Sequence, residues 1–203
     1  MARPRTDIRP RILQAARKRF LDGGVDGVSL RAIARAARTS IGMIYYYFPT
    51  KDDLFFAVVE ESYEKILADI ERVLATEGGV EERLVRLGER ISDATDEEIE
   101  TVRLVVREAL LSSARRDRLV QRFTRGHVAL IFRTVMEGVK EGAFDAKRHP
   151  AVLLLATFSL AFPPQILRRV AGERLPVPGV PSGKALAREL VDVLFRGAGP
   201  SRE

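Results

Sequence analysis

Residues 28–58 read VSLRAIARAARTSIGMIYYYFPTKDDLFFAV, and this stretch decides the fold. Its apolar positions predict two short helices, 30–36 and 40–47, joined by a tight turn. Pro49 ends the second helix, because proline disfavours the helical conformation in the residue before it. Two short helices in this order, preceded by a basic helix, have the layout of a helix-turn-helix, in which the second helix enters the major groove of DNA.

The side chains of this stretch suit contact with a nucleic acid. Arg31 can reach a phosphate or a guanine edge with its fork of donors, and Gly42 allows the backbone to approach DNA closely. Lys51 lies at the start of the next helix, where a backbone phosphate binds well. A tyrosine-rich helix end is also common in a core, so Tyr47 and Phe48 are expected to be packing residues in part. The other candidates for DNA contact are Ser29, Arg38, Ser40, Ile41, Met43, Tyr45 and Tyr46.

The same residues resemble the DNA-binding domain of the TetR family of transcriptional regulators. The family pattern runs T-[LIV]-R-x-I-A-x-x-A-G-V-S-x-G-x-[LI]-Y-x-[HY]-F-x-[ST]-K-x-x-L, and the match needs no insertion. The matching residues are Leu30, Arg31, Ile33, Ala34, Ala37, Ser40, Gly42, Ile44, Tyr45, Phe48, Lys51 and Leu54.

Departures from the pattern fall in the turn and on the reading face. Arg38 stands where the family has glycine, so a left-handed backbone there would carry a strain of about 1–2 kcal/mol unless the turn relaxes. Thr39 replaces valine. Ile41 and Met43 replace a lysine and a small polar residue early in the second helix, where they should face outward. Apolar residues there favour thymine methyl groups over guanine edges.

The charge of the chain is unevenly distributed. Residues 1–51 hold 11 Lys or Arg and 3 Asp or Glu, whereas residues 52–203 hold 23 basic and 25 acidic residues. The whole positive excess of +6 therefore belongs to the first quarter of the chain. Such a field attracts phosphates and steers association with a polyanion. A solvated basic segment or a membrane-surface patch is the alternative interpretation.

Composition and motifs argue against several other classes of protein. The chain has no cysteine, which excludes disulfide scaffolds and thiol chemistry and fits a reducing compartment. No apolar run approaches the roughly 18–20 residues that cross a bilayer, and MARPRTDIRPR is not followed by the apolar segment of a secretory signal. Common nucleophile, nucleotide-loop and zinc-protease motifs are missing. We therefore expect a cytoplasmic protein with no enzymatic activity, cofactor, metal or membrane partner. The family resemblance implies a bacterial protein that lies on the nucleoid when bound to DNA.

The rest of the chain predicts an all-α protein of about nine helices. Besides the three helices of residues 29–75, the pattern predicts helices over Thr6–Leu21, where glycines then break the chain, and over Ser182–Phe195. The other predicted helices span 80–94, 96–114, 117–141 and 150–170, the last with a kink or break at Pro163–Pro164. We expect a helix-turn-helix DNA-binding domain over 1–50 and a helical ligand-binding and dimerisation domain over 51–203.

The family resemblance implies how the second domain works. It implies a ligand-responsive repressor that binds a palindromic operator as a homodimer and is released by a small-molecule effector. The last two long helices would form the dimer interface through the run Val152–Phe162 and the stripe Leu186, Leu190, Val193 and Leu194, unless these residues are intrachain core. A helical membrane-surface or scaffolding protein is the alternative. The candidate effector contacts are Tyr63, Arg103, Arg107, Phe123, His127, Phe158, Phe162 and Gln165.

Overall fold

A computed structural model describes residues 8–171, 179–181 and 183–198. The predicted all-α class is confirmed, and these residues contain no strand. Eleven helices lie in the described ranges: α1 Ile8–Gly27, α2 Leu30–Ala36, α3 Ile41–Tyr47, α4 Lys51–Leu74, α5 Val80–Ser92, α6 Asp96–Leu111, α7 Ser113–Arg125, α8 His127–Lys140, α9 Pro150–Ala161, α10 Pro163–Ala171 and α11 Gly183–Ala198.

Two breaks raise the number of helices above the predicted nine. The single helix predicted over 117–141 is wrong, because Gly126 adopts φ −100° and ψ −118° and separates α7 from α8. A glycine costs about 1 kcal/mol relative to alanine inside a helix, so a break there is inexpensive. The break predicted at the proline pair is confirmed, since α9 ends at Ala161 and α10 begins at Pro163.

The first helix is longer at its carboxyl end than predicted. It continues to Gly27, and the glycine run interrupts its geometry only at Gly24, where φ is +71°. Thr6 and Ser182, which begin two of the predicted helices, lie outside the described residues.

The chain forms two compact units. Unit 1 comprises residues up to Ile66 together with Asp96–Arg122, and unit 2 comprises Leu67–Thr95 together with the residues from Phe123 onward. Helix α6 and most of helix α7 therefore belong to the same unit as the helix-turn-helix. The sequence analysis predicts a boundary at residue 50 between a DNA-binding domain and an effector-binding domain. That boundary separates two functions, and it stays a prediction.

The core of unit 1 holds the helix-turn-helix in place. Phe20 of α1 and Phe55 of α4 are fully buried and meet edge to face, with ring centroids 6.4 Å apart. Ile33 of α2 and Ile44 of α3 are also fully buried. Helices of seven residues are not stable alone in water, so burial of these two isoleucines supplies the stability that α2 and α3 lack.

Unit 2 is organised around α11, which packs on α5 and α9. Gly88 of α5 faces Ala187 of α11 so closely that an added Cβ would lie 3.0 Å from the alanine Cβ. Phe144 and Phe195 stack with their ring centroids 4.6 Å apart. Small residues at one contact and stacked rings at another give this helical unit a packed core.

One apolar span is longer than the sequence analysis expected. Pro150–Leu167 has 18 residues and a mean hydropathy of 1.6, which meets the length and composition of a membrane-crossing helix. Only 17% of the span is buried. It is interrupted after Phe162, so α9 and α10 share it, and its exposed residues include Val152, Leu155 and Leu167.

Candidate nucleic-acid interface

Two serines fix where the short helices begin. Ser29 Oγ accepts a hydrogen bond from the backbone N–H of Ala32 at 3.2 Å, and Ser40 Oγ accepts one from Met43 at 3.2 Å. Each oxygen satisfies a helical N–H that has no intrahelical partner. Ser29 is the N-cap of α2 and Ser40 is the N-cap of α3, and both serines are exposed. Their hydroxyl protons remain available to an acceptor outside the protein.

The turn between α2 and α3 keeps its left-handed backbone despite the arginine. Arg38 has φ +51° and is the one residue other than glycine with a positive φ among those described. Its backbone N–H donates to Arg35 O at 3.1 Å, and Thr39 N–H donates to Ala34 O at 3.0 Å. The structure therefore has the strained left-handed turn, and the turn has not relaxed. The Arg38 side chain is exposed.

Helix α3 presents one face to the core and another to solvent. Ile44 is fully buried, whereas Tyr46 is 77% exposed and Tyr45 is 53% exposed. Ile41 and Met43 are half-buried. Gly42 is exposed, and an added Cβ there would meet only Ser40 Oγ, at 3.8 Å. Arg31, on α2, is exposed as well. Several of the residues predicted to contact DNA therefore form a polar and aromatic surface that is exposed to solvent.

Lys51 has a structural role that the sequence did not indicate. Its Nζ donates to the backbone oxygens of Asp26 at 3.2 Å and Val28 at 3.3 Å, so it ties the start of α4 to the connection between α1 and α2. Next to it, Thr50 and Asp53 form a reciprocal cap at the start of α4. The predicted phosphate contact of Lys51 stays a prediction, and it rests on the helix N-terminus rather than on a free ammonium group.

A buried arginine joins α1 to α4 and α6. Arg17 donates to Ser62 Oγ at 2.8 Å and to Thr101 Oγ1 at 2.9 Å. It also forms ion pairs with Glu61 at 3.2 Å and Glu97 at 3.1 Å. A buried charge is tolerated only when it is paired and hydrogen-bonded, so these contacts fix how α1 lies on both helices.

A second buried arginine holds the segment that leads into α2. Arg115 of α7 contacts Asp26 at 2.6 Å, Asp52 at 2.9 Å and Glu108 at 2.6 Å. Glu108 is 1% exposed, and its other carboxylate oxygen accepts the backbone N–H of Val25 at 3.1 Å. The Arg115 cluster, defined as Asp26, Asp52, Glu108 and Arg115, thus clamps the end of α1 and the start of α4. Sequence spacing gave no signal for it.

The cluster has an electrostatic consequence for Asp26. Its hydrogen bonds to the Arg115 guanidinium hold the pKa of the Asp26 carboxyl below its ordinary value. The carboxylates in turn raise the pKa of Arg115, so the guanidinium stays charged. An aspartate whose pKa is lowered on folding stabilises the folded state above its unfolded pKa of about 3.9, and that contribution is lost as the pH falls through the folded value.

The candidate effector residues divide between the two units. In unit 1, Tyr63 is buried beneath the Arg122 guanidinium, which lies 4.5 Å from the ring centroid. Arg107 donates to the backbone oxygen of Leu21 at 3.3 Å, so it is engaged by the end of α1. Arg103, one helical turn earlier, is exposed. Arg103 and Arg107 therefore differ in their surroundings, although both are candidate effector contacts.

In unit 2, three of the candidates lie together. The ring of His127 is 5.2 Å from Phe123 and 5.7 Å from Phe158, measured between centroids. Phe162 caps the end of α9. Gln165 is buried, and its Nε2 donates to Gly183 O at 3.1 Å, while its Oε1 has no hydrogen-bond partner in the part of the chain that the structure describes.

Comparison with known proteins supports the family resemblance. Residues 12–58 match the family model described as bacterial regulatory proteins, tetR family, which is less than a quarter of the chain. The HTH-type transcriptional repressor KstR of Mycolicibacterium smegmatis is 34% identical over 76 residues. That match spans 37% of this chain and 37% of the length of KstR.

Solved structures extend the likeness to the whole fold. Salmonella enterica GusR has a TM-score of 0.74 at 19% identity, over 96% of this chain and 98% of its own. Bacillus subtilis FadR, crystallised with stearoyl-CoA, has a TM-score of 0.72 at 16% identity, over 93% of this chain and 98% of its own. At these identities the likeness concerns the fold alone. The resemblance to the TetR family of transcriptional regulators is confirmed by the family-model match over residues 12–58 and by the match to KstR.

Replacing the central arginine of the Arg115 cluster tests its structural role. We expect Arg115→Gln to lower the free energy of unfolding by about 3 kcal/mol, because it leaves the Glu108 carboxylate buried without a cation. The pKa of Asp26 should rise toward its ordinary value. Urea unfolding measures the first effect, and NMR titration of side-chain carboxyls measures the second.

Arg116→Gln is the matched control. Arg116 is exposed and its ion pair with Asp117 is 3.6 Å long, so its loss should cost less than about 0.5 kcal/mol. Equal stability losses in the two variants, or an Asp26 pKa unchanged by Arg115→Gln, would contradict the clamp.

Proposed function

We propose that this chain, whose amino-terminal domain is that of a TetR-family regulator, is a transcriptional repressor. It binds a palindromic operator as a homodimer, with α3 of each protomer in the major groove, and a small-molecule effector releases it. The observation that carries the proposal is the exposed face of α3 on a helix-turn-helix whose other face is buried. The protein acts in the bacterial cytoplasm, on the nucleoid while bound to DNA, and the proposal includes no catalytic step.

The contacts with DNA are divided between positioning and reading. Phosphate contacts fix the orientation of a protein on the duplex, whereas contacts with base edges carry specificity. Arg31 and Arg38 are exposed cations on α2 and in the turn, and they suit phosphates or guanine edges. Ser29, Ser40, Tyr45 and Tyr46 supply hydroxyl groups, and the N-terminus of α4 at Lys51 supplies a site for a phosphate.

The apolar residues of α3 give the site its expected sequence preference. Ile41 and Met43 are half-buried in the free protein, which leaves part of each side chain for contact with DNA. Gly42 lies between them and keeps the backbone close to the groove. Because methyl groups of thymine are the apolar feature of the major groove, we infer a preference for A·T pairs opposite these positions.

The dimer uses the apolar surface of unit 2. Val152 and Leu155 of α9 and Val193 of α11 are more than half exposed, and these two helices pack against each other. Leu194 is buried within the unit, so it belongs to the intrachain core instead of the interface. A symmetric contact between copies would cover the exposed residues.

The effector site is proposed in unit 2 around the ring cluster of Phe123, His127 and Phe158, with Phe162 and Gln165 on the following helices. Gln165 Oε1, buried without a partner among the described residues, can accept a hydrogen bond from a ligand. Release of DNA requires that the effector bind the DNA-free conformation more tightly than the bound one. Tyr63, Arg103 and Arg107 belong to unit 1, so they are not assigned to this site and stay predictions.

A helical membrane-surface protein is the second candidate function. The apolar span Pro150–Leu167, largely exposed, is the observation that favours it. The basic residues of the first quarter of the chain could then contact anionic lipid.

Selection of DNA from a random duplex library, followed by titration of the winning sequence, tests the proposal. We expect a palindromic site that is bound at least about 1000-fold more tightly than random DNA. Affinity should fall steeply as salt is raised, because bound phosphates release counterions. Failure to enrich any sequence, with binding to anionic vesicles instead, would favour the membrane-surface function.

A change on the exposed face of α3 should alter the preference for particular DNA sequences more than the affinity for random DNA. We expect Ile41→Lys to reorder the relative affinities of a panel of operator variants, because an ammonium replaces a methyl contact. Gln121→Lys adds the same charge to an exposed position of α7 and serves as control. Relative affinities that are unchanged in Ile41→Lys would remove this residue from the reading face.

The dimer surface is tested by charging it. We expect Leu155→Glu to raise the dissociation constant of the dimer at least about tenfold, as measured by analytical ultracentrifugation, because a carboxylate would be buried in an apolar interface. Leu110→Glu is the matched control, since Leu110 is an exposed leucine of α6 in unit 1. If Leu110→Glu dissociates the dimer and Leu155→Glu does not, the interface lies on unit 1.

A further inference from the structure

Unit 1 contains an open cleft of its own. It lies against α1, with the end of α2, the middle of α4 and the first turns of α6 along its sides, and it has a volume of about 1480 Å³. Ligand sites commonly have volumes of about 300–1000 Å³. The cleft is therefore large enough for a ligand of nucleotide size.

The lining of this cleft is predominantly cationic. Seven of its residues are Lys or Arg and four are Asp or Glu. Arg17 is neutralised by Glu61 and Glu97, so two of the four carboxylates are already engaged by one cation. The cations that form no ion pair within the described residues include Arg11, Lys18, Arg38, Lys65 and Arg103.

Arg11 provides a second and independent observation. Its Nε is buried and donates to no acceptor within the described ranges. A buried donor without a partner destabilises the folded state, and a guanidinium group fits phosphate oxygens in a two-pronged contact. Because Arg11 lines the cleft, an anion bound there would offer this guanidinium an acceptor.

The cleft also reaches the helix-turn-helix. Arg38, one of its lining residues, is the left-handed residue of the turn between α2 and α3. An anion held by Arg38 competes with any DNA phosphate for that side chain. It also contacts a residue whose backbone is already strained. Occupancy of the cleft therefore acts on the DNA-binding segment itself.

We propose that this cleft binds an organic anion that carries at least two phosphate groups. Arg11, Lys65 and Arg103 hold the phosphates, and Arg38 links occupancy to the turn of the helix-turn-helix. This site goes beyond the proposed function, because it lies in unit 1 and is separate from the ring cluster of unit 2.

The test uses the full chain and two phosphate-bearing probes, inorganic pyrophosphate and ATP, in isothermal titration calorimetry at low salt without DNA. We expect saturable binding of one probe molecule per chain. The double variant Lys65→Gln, Arg103→Gln should raise the dissociation constant at least about tenfold, because two charged contacts are lost. Arg133→Gln, an exposed arginine of α8 outside the cleft, should leave it unchanged within about twofold.

Three outcomes overturn the proposal. They are the absence of saturable binding for both probes, equal weakening in Arg133→Gln and in the double variant, and unchanged binding in the double variant. If the cleft binds a phosphate of the DNA backbone and no free organic anion, neither probe binds. The double variant then lowers the salt dependence of DNA binding by about two charges. Because the probe titrations contain no DNA, their result does not depend on whether the protein binds an operator.

Discussion

The Arg115 guanidinium is the contact on which the geometry of unit 1 depends. It draws together Asp26 at the end of α1, Asp52 at the start of α4 and Glu108 of α6. Glu108 would be costly to bury alone, since an unpaired charge in the interior loses its hydration. Because its second oxygen accepts the N–H of Val25, the carboxylate also fixes the backbone just before α2. One cation thereby holds the segment that leads into α2 in place.

This arrangement explains how two seven-residue helices hold a defined position. Such short helices do not form alone in water, and their caps at Ser29 and Ser40 only determine where they start. Their position depends on the burial of Ile33 and Ile44 and on the chain segments at either end of the motif. Lys51 holds one of those segments through the oxygens of Asp26 and Val28. Fixing both ends restricts the motif to the orientation in which α3 faces outward.

Local features of this structure were predictable from sequence, and long-range ones were not. The start of α2 at a capping serine and the break before Pro163 follow from chemistry within a few residues. The break at Gly126 was missed because a single glycine inside an apolar pattern is compatible with a continuous helix. The contacts of Arg115 with Asp26 join residues 89 positions apart. No periodicity or motif specifies such a pairing, so it emerged only from the packing of α7 on α1 and α4.

The same limit applies to the candidate site. Arg38 could be identified as a departure from the family pattern, yet sequence alone did not say whether the turn would relax. The structure retains φ +51° there, and the reason is local: the N–H groups of Arg38 and Thr39 are held by carbonyls of α2. A left-handed arginine costs about 1–2 kcal/mol, which two backbone hydrogen bonds are sufficient to offset. The turn therefore tolerates a cation where glycine is usual, and this cation is placed where either a DNA phosphate or another anion can meet it.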